Sequence, residues 1–295
     1  MELEYKQPGD TQLVELKNIK NKFGLKCNIF GKYEATNPTG SIKDRPVFNM
    51  LIAYTEKYKD LKGYTIVEAT SGNTGIALAY FSNFFEYRCL IVMPTSVSVQ
   101  RREMITKYGG EVILVNGGMK ECNEKAQEIL NSTEKSFIFD QFNQEANWKA
   151  HLITADELYN QNPNLKFIFG GIGTGGTVTG LATYYEAINP SVKVIGVEPE
   201  ESPLLTKGKA GPHLIQGIGA NFIPSILNRE LVSEIVDVKG EEAIEMAKTI
   251  RSIEELDVGI SSGAALLGAI KYIKEHNIGD DVAVICLHTV DRYKW

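Results

Sequence analysis

The sequence predicts an α/β fold with parallel-rich sheets flanked by helices, and three observations support this prediction. The chain has 295 residues, which is long enough for a large core and for two domains. Short apolar segments alternate with amphipathic ones, as is typical of parallel sheets covered by helices on both faces. Two glycine-rich turns stand where a predicted strand passes into a predicted helix, which is where open α/β sheets bind ligands.

The alternation of apolar periodicities predicts the following elements. Strands are expected at residues 65–69, 89–93, 111–115, 166–170, 192–197 and 282–287. Helices are expected from about residue 44 onward and at residues 74–84, 97–108, 119–130, 177–188 and 262–275. Residues 200–224 are rich in glycine and proline and are predicted to form a long loop, and such loops are often functional.

Composition excludes several classes of protein. The net charge of −6 argues against nucleic-acid binding, which requires a basic face. No apolar run reaches membrane-spanning length, and the N-terminus is acidic rather than signal-like. The four cysteines and four histidines show neither paired nor metal-ligand spacing, so we expect reduced thiols, no metal and a cytoplasmic location.

A lysine stands between a turn and the start of a helix in the segment NPTGSIKDR at residues 37–45. Asn-Pro and Thr-Gly signal a turn, and the apolar spacing from Val47 onward predicts a helix that begins close to Asp44. The positive end of the helix dipole disfavours the ammonium form of Lys43. A neutral amine is what Schiff-base chemistry with an aldehyde cofactor requires. A surface lysine beside a helix cap is the alternative interpretation of this segment taken alone.

The first glycine-rich turn is TSGNTG at residues 70–75, directly after a predicted strand. Its backbone N–H groups, the hydroxyls of Thr70, Ser71 and Thr74, and the dipole of the following helix are typical of an anion-binding site. Asn73 adds a side-chain amide that suits a ring oxygen or a carboxylate. A tight strand-to-helix connection with a good helix cap is the structural alternative.

The second glycine-rich turn is GIGTGGT at residues 171–177, again after a predicted strand. Its glycines allow the backbone to close around a phosphate, and two threonines add hydroxyls. The same turn also fits the G-x-G-x-x-G pattern of NAD-dependent dehydrogenases, with Glu198 placed about twenty residues later as a ribose-binding acid. This alternative is less favoured, because it leaves Lys43 and the first turn without a role.

Together these segments resemble those of fold-type II pyridoxal-phosphate enzymes, in the cysteine synthase (O-acetylserine sulfhydrylase) and cystathionine β-synthase family. Six segments match in order along nearly the whole chain, namely NPTGSIKDR at 37–45, EATSGNTGIALA at 68–79, DQFN at 140–143, GIGTGGTVTG at 171–180, GPHLIQGIGA at 211–220 and VGISSGAA at 258–265. The resemblance implies a two-domain fold like that of the tryptophan synthase β chain, with pyridoxal 5'-phosphate as the cofactor. It also implies a smaller, mobile, substrate-binding domain at residues 40–147. The larger domain, residues 1–39 and 148–295, would bind the cofactor phosphate.

The resemblance assigns a role to each matched residue. Lys43 would hold the cofactor covalently and, once displaced by the substrate amine, remove the α-proton. Asn73 would hydrogen-bond the ring oxygen, and Ser261 would face the pyridine nitrogen without enforcing its protonation. Ser261 is also a candidate N-cap of the predicted helix 262–275. The residues expected to hold the phosphate are Gly173, Thr174, Gly175, Gly176 and Thr177. Those expected to bind the substrate are Thr70, Ser71, Asn73, Thr74 and Gln141 at its carboxylate, and Gly217 at the entrance.

The implied reaction is a β-replacement in sulfur amino-acid metabolism. An amino acid such as O-acetylserine, serine or cysteine would lose its β substituent to give an aminoacrylate, to which sulfide or a thiol then adds. Closure of the site over the substrate would exclude water. The family resemblance further implies a homodimer.

Two alternatives to this function stay open at the level of sequence. One is an enzyme that consumes cysteine, releases hydrogen sulfide and forms serine or a thioether such as lanthionine. The other is a catalytically silent homologue. Asn221 and Val290 stand where glycine is common in the family, and both bear on this choice, whereas the role of Asp291 stays open. A structural explanation is equally available, in which Asn221 tolerates an unusual backbone angle and Val290 merely packs against a turn.

Overall fold

The computed structural model describes residues 4–286, and within them the chain forms ten strands and ten α-helices. The strands are β1 Leu13–Glu15, β2 Ile29–Tyr33, β3 Thr65–Ala69, β4 Arg88–Pro94, β5 Glu111–Val115, β6 Ser136–Ile138, β7 Phe167–Gly171, β8 Lys193–Pro199, β9 Glu234–Val238 and β10 Val282–Cys286. The helices are α1 Lys17–Phe23, α2 Asp44–Tyr58, α3 Asn73–Phe85, α4 Val99–Lys107, α5 Met119–Ser132, α6 Glu145–Gln161, α7 Gly176–Ile188, α8 Leu204–Lys207, α9 Gly240–Glu254 and α10 Ile260–His276.

These elements form two compact units. Residues 4–8 and 43–141 make up the smaller unit, and residues 9–42 and 142–286 make up the larger one. The chain therefore passes from one unit to the other directly before Lys43 and directly after Gln141. The mobility of the smaller unit and its role in substrate binding stay predictions.

The smaller unit is built on a parallel sheet with the strand order β5-β4-β3-β6. Its core contains Val67 and Val92 from the two central strands, packed against Cys122 and Ala126 of α5. Because β3 and β6 are parallel neighbours, their carboxyl ends lie at the same edge of the sheet. The turn after β3 and the segment after β6 are therefore brought side by side.

Helix α2 is fixed to the segment after β6 by an aromatic residue. The hydroxyl of Tyr54 donates a hydrogen bond of 2.6 Å to the carbonyl oxygen of Phe139, and the ring of Tyr54 packs against that of Phe137 with centroids 4.5 Å apart. A buried tyrosine contributes apolar area and usually needs a hydrogen-bond partner for its hydroxyl, and this contact provides both. The helix that follows Lys43 is thereby held against the segment that leads to Gln141.

The larger unit is built on a six-stranded sheet with the order β1-β2-β10-β7-β8-β9. β1 pairs antiparallel with β2, and the other neighbours pair in parallel. Every residue of β10 is buried, as expected for a strand covered on both faces. α9 and α10 cross closely at Gly263, where a Cβ atom would lie 2.1 Å from the carbonyl oxygen of Ala243.

The expected α/β architecture is confirmed, and each predicted strand and helix is present with bounds shifted by at most a few residues. Residue 287, the last of the predicted strand 282–287, lies outside the described residues. The predicted loop 200–224 contains only the short helix α8. Besides α8, the elements that were not predicted are α1, α6, α9, β1, β2, β6 and β9. The buried face of α6 includes the polar residues Asn147, His151 and Thr154, which dilute the apolar periodicity.

Within residues 4–286, no helix is both long and apolar enough to cross a membrane. The same part of the chain contains no group of three or more histidine, cysteine, aspartate or glutamate residues arranged to hold a metal ion.

A buried ion pair in the larger unit supports the strand that leads toward the lysine segment. Lys32 in β2 is fully buried, and its ammonium group lies 2.7 Å from the carboxylate of Glu157. It also donates to the carbonyl oxygen of Thr11 and to the side chain of Gln161. Nearby, the buried Glu34 accepts hydrogen bonds from Thr11 and from the amide of Asn37. The amide of Asn37 is thus oriented by charged groups, and Asn37 begins the turn before Lys43.

The Lys32→Ala variant should lower the free energy of unfolding by about 3 kcal/mol, because it leaves the Glu157 carboxylate without its buried countercharge. Urea titration followed by circular dichroism measures this change. Lys62→Ala is the matched control, since Lys62 forms a solvent-exposed ion pair with Glu86 whose loss should change the free energy of unfolding far less. Equal losses in the two variants would contradict the role given to the buried pair.

Candidate functional site

Lys43 occupies the position predicted for it, between a tight turn and the first residue of α2. The backbone N–H of Gly40 donates to the carbonyl oxygen of Asn37 at 2.8 Å, and Gly40 has a φ of +78°, so the predicted turn is confirmed. α2 begins at Asp44, and Pro46 stands in its first turn, where a missing N–H is tolerated. Lys43 itself is the residue immediately before the helix.

The amine of Lys43 is easier to deprotonate than an ordinary lysine. Part of the side chain is exposed, but protein atoms replace most of the water around the ammonium group, which lowers the pKa of Lys43 to about 8. Loss of hydration is the cause, since it disfavours the charged form. About a tenth of the amine is therefore neutral at pH 7, far more than for a lysine of ordinary pKa.

The first glycine-rich turn has the form of an anion site at a helix N-terminus. α3 begins at Asn73, and its N-cap residue Gly72 provides no side-chain cap. The backbone N–H of Gly72 donates to the hydroxyl of Thr70, and the buried guanidinium of Arg101 donates to the carbonyl oxygen of Ser71 at 3.0 Å. The first N–H groups of an α-helix have no partner within the helix, so they suit an anionic ligand. The turn is thus fixed from two sides.

Gln141 joins this turn through a buried network in the smaller unit. The hydroxyl of Thr74 donates to Oε1 of Gln141 at 2.8 Å, and Nε2 of Gln141 donates to Oε1 of Glu68 at 2.8 Å. The backbone N–H of Asp140 donates to the second oxygen of Glu68 at 3.2 Å. The structure therefore brings the predicted residues Thr74 and Gln141 together through direct contact. Glu68 was not singled out in the sequence, although an acid inside an apolar strand is a pattern that can be recognised there.

The second glycine-rich turn lies in the larger unit and is closely surrounded by protein. α7 begins at Gly176, where a Cβ atom would lie 2.0 Å from Oδ1 of Asn147. A Cβ atom on Gly173 would lie 2.5 Å from the carbonyl oxygen of Gly217, and Gly175 has a φ of +81°. Side chains are thus excluded at these three positions. The structure places Gly217 directly beside the turn.

Helix α6 supports the hydroxyl groups of this turn from behind. The hydroxyl of Thr177 lies 3.4 Å from Nε2 of His151, and Nδ1 of His151 lies 3.2 Å from the hydroxyl of Thr154. Asn147 donates to the hydroxyl of Thr174 at 3.5 Å, and that hydroxyl also accepts from the N–H of Gly176. The sequence analysis missed His151, because α6 was not predicted and the histidine spacing indicated only that no metal site was present.

Ser261 lies in the first turn of α10 and is fully buried. The helix begins at Ile260 with Gly259 as its N-cap, so the interpretation of Ser261 as the N-cap is wrong. The predicted start at residue 262 is therefore two residues too late. The expected role of Ser261, to face the pyridine nitrogen of the cofactor, stays a prediction.

Asn221, which was singled out in the sequence, has a structural role in the larger unit. Asn221 has a φ of +63°, and its side-chain oxygen accepts a hydrogen bond of 2.6 Å from Ser202. Asparagine tolerates this left-handed conformation better than most residues, which accounts for its place where glycine is common. Both Val290 and Asp291 lie outside the described residues.

The carboxylate of Glu198, the proposed ribose ligand of the dehydrogenase alternative, is occupied by protein contacts. It accepts hydrogen bonds from the N–H groups of Leu205 and Thr206 and from the hydroxyl of Thr206, at 2.7 to 2.9 Å. Glu198 therefore stabilises the start of α8, and the dinucleotide alternative loses the acid on which it depended.

Comparison with known proteins identifies the family. The family model described as "Pyridoxal-phosphate dependent enzyme" matches residues 5–289. The chain belongs to this family of enzymes. It is 45% identical over 271 residues to cysteine synthase B of Campylobacter jejuni, covering 90% of this chain and 88% of that protein.

Two solved structures of similar fold show the same relationship. The cysteine synthase of Entamoeba histolytica has a TM-score of 0.93 and 36% identity, and the match covers 97% of this chain and 87% of that one. A hydrogen sulfide-producing enzyme from Fusobacterium nucleatum has a TM-score of 0.92 and 37% identity, covering 98% of this chain and 96% of that one. The expected fold of a fold-type II pyridoxal-phosphate enzyme is thereby confirmed.

The described residues suit this cofactor chemically. Lys43 provides an amine of lowered pKa for an aldehyde, and the turn after β7 provides a helix N-terminus with two buried threonine hydroxyls for a phosphate. The close packing around Gly173, Gly175 and Gly176 leaves the backbone itself to line this turn. Nothing in the donor chemistry of the described residues conflicts with pyridoxal phosphate.

The lowered pKa of Lys43 predicts a pH dependence for its reaction with an aldehyde. In cofactor-free protein, the rate of borohydride-trapped labelling by pyridoxal phosphate should rise about tenfold per pH unit and level off near pH 8, because only the neutral amine reacts. An ordinary lysine would level off about two units higher. Mass spectrometry of the peptide that contains Lys43 measures the rate, and a plateau above pH 10 would contradict the burial argument.

Gly176→Ala tests the second turn as the phosphate site. The added methyl group would overlap Oδ1 of Asn147, so the turn must shift, and we expect the affinity for pyridoxal phosphate to fall at least about tenfold. Gly279→Ala is the control, because its Cβ atom would meet nothing within 4 Å. Equilibrium dialysis of both variants decides the matter, and unchanged affinity in Gly176→Ala would exclude the turn as the phosphate site.

Proposed function

We propose that this protein is an enzyme of the cysteine synthase type, which replaces the β substituent of a small amino acid by sulfide or a thiol. The observation that carries this proposal is the similarity to cysteine synthases over nearly the whole chain. The two glycine-rich turns and Lys43 also support it, since each provides a group that this chemistry needs.

The residues of the chain divide the work of holding the cofactor. Lys43 would bind its aldehyde covalently, Asn73 its ring oxygen and Ser261 its pyridine nitrogen. The phosphate would lie at the N-terminus of α7, where His151 orients the hydroxyl of Thr177. When bound, the cofactor withdraws electrons from the α-carbon of an amino acid, which makes the α-proton acidic and permits loss of the β substituent.

Lys43 has a second task once the substrate amine has taken its place. Its free amine would accept the α-proton of the substrate, as a general base whose pKa lies close to the working pH. Burial lowers the pKa of Lys43 to about 8, so the amine exists in both protonation states near neutral pH. The same residue therefore serves first as the nucleophile toward the aldehyde and then as the base.

The first turn would bind the substrate carboxylate. The N-terminus of α3 offers backbone N–H groups and a positive dipole, and Thr70, Ser71 and Thr74 offer hydroxyls. The buried guanidinium of Arg101, which donates to Ser71, adds positive charge next to this turn. Gln141 would add its side-chain amide. Binding the carboxylate here would position the amino acid and help to exclude water from the reacting centre.

A second candidate function is the consumption of cysteine with release of hydrogen sulfide. The specific observation in its favour is the hydrogen sulfide-producing neighbour, which matches this chain over almost the full length of both proteins. The same residues would serve this reaction, because cysteine also carries a β leaving group. The two functions differ in the donor amino acid and in the direction of sulfur transfer.

A homodimer, a cytoplasmic location and a smaller domain that closes over the substrate complete the proposal. The homodimer and the closing domain follow from the resemblance to the family, and the cytoplasmic location follows from the scattered cysteines; all three stay predictions.

The donor amino acid can be determined by supplying purified enzyme with O-acetylserine, serine or cysteine separately. We expect O-acetylserine to change the cofactor spectrum and, with added sulfide, to yield cysteine. Release of sulfide from cysteine alone, at a higher rate than cysteine formation, would instead establish the second candidate. Lys43→Ala should lose the covalent link to the cofactor and at least about 1000-fold of the activity, since it removes both the anchor and the base. No spectral change with any of the three amino acids would contradict β-replacement.

A further inference from the structure

The carboxyl group of Glu68 has no role in the proposed function, yet it contacts the segment that carries Gln141. Glu68 lies in β3, only 4% exposed, two residues before the first glycine-rich turn begins. Its oxygens accept hydrogen bonds from Nε2 of Gln141 and from the backbone N–H of Asp140. Burying an acid within an apolar strand is costly, so we expect its hydrogen bonds to fix the orientation of the groups that they contact.

The hydrogen bonds from Glu68 continue through Gln141 to Thr74. A side-chain amide has a donor end and an acceptor end, so the end that faces Glu68 determines the end that faces Thr74. In the structure both oxygens of Glu68 accept, Nε2 of Gln141 faces Glu68, and Oε1 faces the hydroxyl of Thr74. The proton of Thr74 is therefore directed at Gln141 and not at a ligand.

A proton on Glu68 reverses this direction. A protonated carboxyl group has a hydroxyl that needs an acceptor when it is buried. The N–H of Asp140 already donates to one oxygen, so Gln141 must turn its Oε1 toward Glu68 and its Nε2 toward Thr74. The hydroxyl of Thr74 and the second N–H of Gln141 then both become donors for a carboxylate, which only accepts.

We propose that Glu68 is a positioning residue whose protonation state sets the direction of the Gln141 amide, and hence the number of hydrogen-bond donors offered to the substrate carboxylate. The inference rests on the proposed function for the identity of this ligand as an amino-acid carboxylate. The protonated form binds the carboxylate more tightly, because Gln141 and Thr74 then both offer it a donor.

The surroundings of Glu68 favour the protonated form near neutral pH. Burial raises the pKa of Glu68 to about 8, against the lowering effect of the hydrogen bonds from Gln141 and Asp140, and the charge of Asp140 adds to the rise. Two other titratable groups face Glu68, Tyr54 on α2 and Cys89 on β4. Burial raises the pKa of both groups well above their ordinary values, so neither loses its proton in the pH range in which Glu68 does.

The test is the affinity of the cofactor-loaded enzyme for propionate at pH values on either side of 8. Propionate has a carboxylate but no amine, so neither an α-ammonium group nor displacement of Lys43 enters the measurement. The dissociation constant of wild-type enzyme should rise at least about tenfold as the pH passes through 8, because neither Gln141 nor Thr74 then donates to the ligand. Calorimetric titration gives this constant.

Glu68→Gln isolates the role of the proton. Its side-chain N–H donates to Oε1 of Gln141 as the protonated acid does, so we expect the low-pH affinity for propionate at every pH. The matched control is Glu111→Gln in the same sheet, where Glu111 forms an exposed ion pair with Arg88, and this variant should retain the wild-type pH profile. In a Gln141→Ala background, Glu68→Gln should have no effect on propionate affinity, because Glu68 acts through Gln141.

A spectroscopic measurement tests Glu68 without activity or ligand. The infrared carbonyl stretch of a protonated carboxylic acid should disappear from the wild-type protein as the pH passes through 8, and Glu68→Gln should lack this band throughout. This measurement applies equally to cofactor-free protein, so it stays informative if the variant binds propionate poorly.

The outcomes separate this inference from the proposed function. A wild-type affinity for propionate that does not change with pH, or a pH profile that persists in Glu68→Gln, would overturn the role of Glu68 and leave the proposed function intact. An additive effect of Glu68→Gln in the Gln141→Ala background would also overturn it. A protein that takes up no pyridoxal phosphate would overturn the proposed function, while the infrared band would still decide the protonation of Glu68.

Discussion

The parallel pairing of strands is the constraint on which the candidate site depends. In a parallel sheet the carboxyl ends of neighbouring strands lie at one edge, and each is followed by a turn into a helix. In the smaller unit this geometry puts the turn after β3 next to the segment after β6, and so Thr74 reaches Gln141. In the larger unit it puts the second turn between β7 and α7. Both turns end at a helix N-terminus, where backbone N–H groups and the dipole favour anions.

Several ionisable groups are buried in the structure, and burial affects their charge and pKa differently from one position to the next. Lys32 and Glu157 compensate each other, so their burial yields a structural contact. Lys43 is desolvated, and burial lowers its pKa toward the range in which an amine works as a nucleophile and a base. Glu68 is desolvated beside the segment that carries Gln141. Here burial raises the pKa, because the charged form of an acid is the deprotonated one. Burial of an ionisable group thus accompanies an ion pair in one case and shifts a protonation equilibrium in the other two.

Much of the fold could be predicted because its elements have strong local signals. The apolar strands β3 and β5 were predicted with the bounds that the structure shows, and the helices after both glycine turns were predicted to within a few residues. α6 was not predicted, since Asn147, His151 and Thr154 on its buried face carry no apolar periodicity. These polar residues are buried because they support the second turn, a reason that exists only in the folded protein.

Local patterns in the sequence indicated which groups are candidates for the chemistry. Lys43 before a helix and two glycine-rich turns after strands are local patterns, and their order along the chain indicated the family. The groups that contact these residues are brought to them by the folding of the chain. Glu68 and Gln141 are far apart in the sequence and meet because β3 and β6 pair, and His151 reaches Thr177 because α6 packs against α7. Such contacts depend on long-range packing, so no local pattern of residues specifies them.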